Sequence, residues 1–323
     1  MGCTLGGRDS GIEAVNPIYL DTARLLMRVA PLVLVDETFA LKGGTAINLF
    51  VRDMPRLSVD LDLVFLDHTL QREEALLRIN EVMNQEVMNQ SVRRLKAQGF
   101  QTHAMVLADA GETKLVVRHG AIEVKVEVNV VMRGTVNRVC KASLTQKARD
   151  MLQADLEIPV VSFEDVYGGK LVAAMDRQHP RDLFDVLQLF EHEGITDGIR
   201  RAFVVYLASH NRPVHEVLFS TYRDIRLDFA QNFAGMTARP VELATLLSAR
   251  EQMIHEIRNG LTAVERQFLL SLVAAEPKWS LLEVPHLEQL PGVRWKLENL
   301  ERLRKSNVRK FAEQSEKLAR LFG

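Results

Sequence analysis

The chain has 323 residues, 47% of them hydrophobic, and a formal net charge of −1. Such a length allows about two domains with ample core, and the near-neutral balance excludes a global basic field, so any nucleic-acid contact must rest on a local patch. Cys3 and Cys140 make neither a disulfide scaffold nor a zinc cluster, and no run approaches the ~18 apolar residues of a membrane span.

The opening MGCTLGGRDS lacks the charged start and apolar run of a signal peptide. Gly6 stands where a myristoylation signal needs Ser or Thr. A reduced, cytoplasmic protein with no membrane partner is therefore expected. Residues 17–34 carry Leu20, Ala23, Leu26 and Met27 at helical spacing. A short strand over Thr38 to Leu41 runs into Gly43-Gly44, a short helix from Thr45 to Val51, and a connection ending at Pro55. Ser58 to Leu66 alternates strictly, with Val59, Leu61, Leu63 and Phe65 on one side and Ser58, Asp60 and Asp62 on the other.

Residues 70–98 read as a helix that contains a tandem duplication, EVMNQ at 81–85 and again at 86–90. Five inserted residues turn a helical face by ~140°, so the segment belongs where a face is mostly exposed and carries no function. Strands follow at 101–107, 114–118 and 121–131. In the last, Ile122, Val124, Val126, Val128 and Val130 share one face, and Glu123, Lys125, Glu127 and Asn129 share the other. Residues 132–160 read as a connection, and from Ser162 onward helices dominate, broken near Gly194, Pro213, Pro240, Pro277 and Pro291. The expected fold is α+β, with a mixed-sheet domain over 1–158 and an all-helical domain over 159–323.

Two groups of residues carry chemistry. Gly43-Gly44, between a strand and a helix start, lets backbone amides approach an anion; Lys42 and Thr45 stand ready to add a charge and a hydroxyl. By itself the pair also fits a tight turn. Asp60 and Asp62 project from one sheet face ~7 Å apart, a spacing that suits one or two hard divalent cations, Mg²⁺ or Mn²⁺. Like charges on one strand face repel, which a metal offsets; the alternative is a solvated edge. Glu127, more than Glu123, completes the set if its strand lies beside Asp60 and Asp62, as a ligand or as a base for an attacking hydroxyl. The other reading of Glu123, Lys125 and Glu127 is a surface ladder.

SFEDVYGGKLVAAMDRQHPRDLFDVLQLFE, 162–191, is the second group. Phe163, Val166, Tyr167, Lys170, Ala173, Ala174 and Arg177 fall on one stripe, so Lys170 and Arg177 sit within an apolar face and need partners. Arg181, Asp182, Asp185 and Gln188 form a polar face on the next helix. These charges fit either a triphosphate site or a structural ion-pair network. Over 295–322 a long amphipathic helix is expected, with Leu297, Leu300, Leu303, Phe311, Leu318 and Phe322 on one face. It is basic enough to follow an RNA backbone, yet Glu298–Arg302, Glu301–Lys305, Arg309–Glu313 and Glu316–Arg320 are i,i+4 pairs that suit a solvated face. Trp279 and Trp295 read as core anchors.

Lys42-Gly-Gly-Thr45 with Ser58-Val-Asp60-Leu-Asp62 resembles the opening motif of the AbiEii-type nucleotidyltransferase toxins of bacterial abortive-infection and toxin–antitoxin systems. Lys125-Val-Glu127-Val, Lys170 to Arg177 with Arg181-Asp182-Leu-Phe-Asp185, and Leu290 to Leu300 resemble their later segments. The resemblance implies a DNA polymerase β-like core and a helical C-terminal domain. It also implies catalytic Lys42, Asp60 or Asp62, Lys170, and Asp182 or Asp185. Joined to the reading of the residues, this puts Asp60, Asp62, Glu127, Asp182 and Asp185 all among the catalytic candidates, with Gly43, Gly44, Thr45, Ser58, Arg177 and Arg181 about the nucleotide and Mg²⁺ (or Mn²⁺) on Asp60, Asp62 and Glu127. The expected substrates are an NTP and an RNA acceptor, with tRNA 3′ ends favoured and translation blocked, and a cognate antitoxin is an expected partner. The wider superfamily has Gly-Ser where this chain has Gly43-Gly44. A transferase acting on a small molecule or protein hydroxyl, and a nucleotide-binding regulator without turnover, stand as alternatives.

Overall fold

The computed structural model describes residues 17–34, 38–83, 96, 97, 99–105 and 112–323. Helix α1 (Pro17–Val33) precedes β1 (Phe39–Lys42), and the chain then winds at once into α2 (Gly43–Ala46), continued by a π-helical turn over Ile47–Val51. Strand β2 (Asp60–Phe65), α3 (Arg72–Glu81), β3 (Gln101–Met105), β4 (Glu112–His119) and β5 (Ile122–Asn129) follow. Next come β6 (Cys140–Ser143), α4 (Gln146–Leu152) and β7 (Glu157–Val160). The seven strands form one mixed sheet in the order β3-β4-β5-β2-β1-β7-β6. Helices alone follow: α5 (Phe163–Arg177), α6 (Pro180–Phe190), α7 (Asp197–Ala208), α8 (Val214–Leu218), α9 (Arg226–Asn232), α10 (Leu243–Gly260), α11 (Ala263–Val273), α12 (Pro291–Ser306) and α13 (Val308–Phe322), with short 3₁₀ turns before α12.

The alternation read from the sequence sets the sheet. Leu61, Leu63 and Phe65 are buried on one face of β2, as are Val124, Val126 and Val128 on β5. β2 lies between β1, antiparallel, and β5, parallel, in the register Lys42↔Asp62↔Glu127. Ser162 caps α5 by accepting from the Asp165 amide at 3.1 Å, and Gln178 ends it in the left-handed region at φ 52°. Pro180 opens α6 without losing a needed donor. Gly168 lets α5 and α7 pack closely, since a Cβ there would lie 2.7 Å from the Ala202 Cβ.

Three expectations change. The stretch 132–160 is not merely a connection, because β6 and β7 extend the sheet and α4 lies between them. These strands have four residues each, too short for a period-2 signal, and Pro159 masks the second. The C-terminal helix is two helices, because Asn307 (φ −151°, ψ 78°) breaks the run and its side chain caps α13. Of the four expected i,i+4 pairs only Arg309–Glu313 forms as a side-chain ion pair among the described residues. The helix expected over 70–98 is described as Arg72–Glu81 with a further turn to 83 and as helical again at 96 and 97; residues 84–90 of the duplicated segment lie outside the described residues. Among those described, no helix is long and apolar enough to cross a membrane.

Candidate active site

The diglycine bend and the carboxylates meet. Gly43 takes φ +74°, and a Cβ built on it would lie 2.5 Å from Asp62 Oδ2. Only glycine allows this approach, on both conformational and steric grounds. The register puts Lys42 on one side of Asp62 and Glu127 on the other, so residues from three adjacent strands line one row. Asp60, two residues along β2, lies on the same face. Its carboxylate is 41% exposed, and Arg181 approaches it at 3.8 Å. Burial raises the pKa of Asp60, and the charges of Asp62 and Glu127 add to this, while Arg181 and Lys125 act against it. Glu127 is paired with Lys114 at 3.0 Å. Glu123 pairs with Arg118 and Lys125 instead, which separates it from the site.

The donor chemistry suits a hard divalent cation: carboxylate oxygens gathered on one face of the sheet. Yet no group of three or more His, Cys, Asp or Glu side chains among the described residues already stands in a metal-holding arrangement. Glu127 would have to leave Lys114 to join such a set.

Thr45 and Ser58 face inward. The Thr45 hydroxyl is bonded to Ser58 Oγ at 2.9 Å and to the Asp60 carbonyl at 2.5 Å, and Thr45 is only 1% exposed. This hydroxyl staples the helix after the bend to the start of β2 rather than reaching out to a ligand.

Behind the bend lies a closed charge network. Lys170 on α5 pairs with Asp182 and Asp185 on α6, each at 2.9 Å. Arg177 grips Asp182 at 2.5 and 3.0 Å. Arg56 grips Asp185 at 2.8 and 2.6 Å, and Asn48 donates to Asp185 at 2.9 Å. Lys170, Asp182, Asp185, Arg56 and Asn48 are all buried. Burial alone would raise both aspartate pKa values. Lys170 and Arg177 outweigh it at Asp182, and Arg56 and Lys170 outweigh it at Asp185, so both lie below the ordinary carboxylate range.

Two of these residues, Arg56 and Asn48, escaped the sequence reading. Arg56 lies directly under the bend: a Cβ on Gly44 would come within 2.7 Å of its guanidinium. Asn48 also donates to the Gly44 carbonyl at 2.9 Å. The available signals were an arginine just before the alternating strand and a polar residue in a short apolar helix, and neither is specific. The structure thus brings Lys42, Gly43, Gly44, Asp60, Asp62, Glu127, Arg177 and Arg181 to one face. It seats Thr45, Ser58, Lys170, Asp182 and Asp185 beneath it. Arg177 keeps 61% of its side chain exposed while bound to Asp182, and Asp62 contributes to raising its pKa. It therefore spans the buried network and the open row.

Over residues 24–299 the sequence matches the model of the family described as nucleotidyl transferase AbiEii toxin, type IV toxin–antitoxin system. Among solved structures it is similar to MenT4, a nucleotidyltransferase toxin from Mycobacterium tuberculosis H37Rv, with TM-score 0.58 and 20% identity over 88% of this chain and 94% of that one. At that identity the likeness shows the fold. A search of curated proteins found no match.

Proposed function

The chain belongs to the AbiEii nucleotidyl transferase toxin family of type IV toxin–antitoxin systems, and from that premise we propose that this nucleotidyltransferase transfers a nucleoside monophosphate from an NTP to an RNA acceptor. The tRNA 3′ end is the favoured acceptor, and its modification would block translation. One observation carries the reading: Asp62 sits against Gly43 and in register with both Lys42 and Glu127. A phosphate-binding bend beside a row of carboxylates is what in-line displacement at phosphorus needs.

In this reading Asp60, Asp62 and, once released from Lys114, Glu127 hold a divalent cation, Mg²⁺ or Mn²⁺. When bound, such an ion neutralises charge on the phosphates. The Gly43 and Gly44 amides, Lys42 and the exposed edges of Arg177 and Arg181 take the triphosphate oxygens. The acceptor hydroxyl oxygen forms a bond to the α-phosphorus, the bond to the bridging oxygen of the β-phosphate breaks, and pyrophosphate leaves. The hydroxyl proton passes to a carboxylate of the row, with Glu127 the candidate. Lys170, Asp182 and Asp185 do not touch substrate; they position Arg177 and Arg56 and keep the bend rigid. Arg56 adds positive charge behind Gly44. A cognate antitoxin is the expected partner in the cell.

Labelled NTPs incubated with the protein, Mg²⁺ and total RNA test the proposal. Label entering RNA supports it. Label on a small molecule or protein assigns a different acceptor, and saturable NTP binding without transfer makes the chain a regulator. Asp60→Ala and Asp62→Asn should abolish transfer.

A further inference from the structure

A cavity of about 320 Å³ opens between the end of the sheet and the C-terminal helices. It is lined by the loop after β2 and the start of α3, by the chain just past β5, and by the start of α12. Arg72, Arg133 and Arg294 converge on it beside Trp295. None of the three arginines has an ion-pair partner among the described residues. Arg133 is 6% exposed. It gives one nitrogen to the Leu70 and Gln71 carbonyls at 3.1 and 3.4 Å, while its Nε is buried without a partner. Burial and the charges of Arg72 and Arg294 lower its pKa, against the pull of Asp67 and Glu73. Three like charges gathered with no direct ion pair, and outnumbering the carboxylates of Glu73 and Glu298 at the rim, are costly, and an anion would offset that cost.

The place of the cavity matters as much as its charge. Asp62 and Glu127 are adjacent in register, as are Val64 and Asn129 two residues on. The cavity begins just past the same ends of the same two strands, roughly 10 Å beyond the carboxylate row at the usual strand rise. Arginines with an accessible indole are the means by which proteins hold unpaired nucleotides, phosphate on guanidinium and base on ring. The cavity volume lies at the lower end of small-ligand sites, the scale of one nucleotide rather than a duplex. Glu73 and Glu298 at its rim suit amino groups on a base edge.

We propose that this cavity holds one unpaired nucleotide of the RNA acceptor, its phosphate on Arg72, Arg133 and Arg294 and its base against Trp295, so that the strand runs from there toward Asp62 and Glu127. The identification of that strand as acceptor rests on the function proposed above; the cavity's ligand chemistry does not.

The full chain carrying Trp279→Phe leaves Trp295 as the only tryptophan. Titrating it with a short single-stranded oligoribonucleotide, without NTP or metal, should give a saturable change in Trp295 emission. Arg294→Ala, on an exposed position, should weaken that binding about fivefold or more and flatten its salt dependence. An unaltered Trp295 signal, or an affinity indifferent to Arg294→Ala, overturns the inference, as does an equal response to inorganic phosphate alone. The two proposals fail differently. Label appearing outside RNA sinks the acceptor reading, whereas full transfer to RNA with a silent Trp295 sinks this one.

Discussion

Gly43 and Asp62 define the site at the level of single residues. A methyl group on Gly43 would collide with the Asp62 carboxylate, and the backbone there lies in the left-handed region. Gly43→Ala should therefore cost about 1–2 kcal/mol of stability and displace the carboxylate that the proposed chemistry needs. Unfolding in urea and the transfer assay would read both effects, and wild-type turnover by Gly43→Ala would show that the bend is not part of the site. Asp62→Asn removes charge without changing shape. It should lower transfer at least about 100-fold while leaving the thermal midpoint unchanged or higher, since it relieves the repulsion that, after burial, raises the Asp60 pKa. Asp60 and Asp62 were legible in the sequence because two aspartates alternating with aliphatics in a strand demand an explanation. Arg56 was not legible, because nothing local distinguishes it from any arginine beside a proline.

Helices α5 and α6 put their polar face to one of the two uses the sequence left open, an ion-pair network. Asp182 and Asp185 are fully buried and spent on Lys170, Arg177, Arg56 and Asn48. Lys170→Met would leave two buried carboxylates short of a partner and should destabilise the protein by about 3–5 kcal/mol, read as a lower urea midpoint. The pH dependence follows from the same network. Both aspartates have folded pKa values depressed below the unfolded value of about 3.9. The stability they contribute is present above that value and lost as pH falls through the folded values. Asp182→Asn should therefore lose stability at neutral pH and show a flatter acid limb below about pH 4 in denaturant titrations. An acid limb as steep as that of the wild type would mean that Asp182 is not held as the network requires.

Across the whole molecule, the helical half grips the sheet half at several places, the Arg56 and Asn48 bonds to Asp185 among them, and two more lie away from the carboxylate row. Asp165 on α5 accepts from the Val136 and Asn137 amides at 2.8 Å each and from the Tyr206 hydroxyl at 2.6 Å. The loop at 55–57 pairs with the segment at 236–238, through Leu57 to Met236 at 2.9 Å and Ala238 to Pro55 at 3.0 Å. The carboxylate row comes from the sheet half, and Arg177 and Arg181 come from the helical half, so the site depends on this joint. We place the division between the halves just after β7, since Val160 still belongs to the sheet. Asp165→Ala would strand two amides and should cost about 3 kcal/mol. Calorimetry should show a lower midpoint, and raised KM for NTP would follow if the arginines drift from the carboxylates.

Local patterning in the sequence was enough to determine the α+β class, the strand–bend–strand unit and the aliphatic faces of β2 and β5, because period-2 alternation and glycine turns are encoded within a few neighbouring residues; the family was legible only through the resemblance of its motifs. What lay beyond it were the register of β5 beside β2, the pairing of Glu127 with Lys114, the burial of Lys170 with its aspartates, and the meeting of Arg72, Arg133 and Arg294 around one cavity. Each of these joins residues far apart in the chain, and only the packed sheet and helices decide which distant charges become neighbours and which of them still face water.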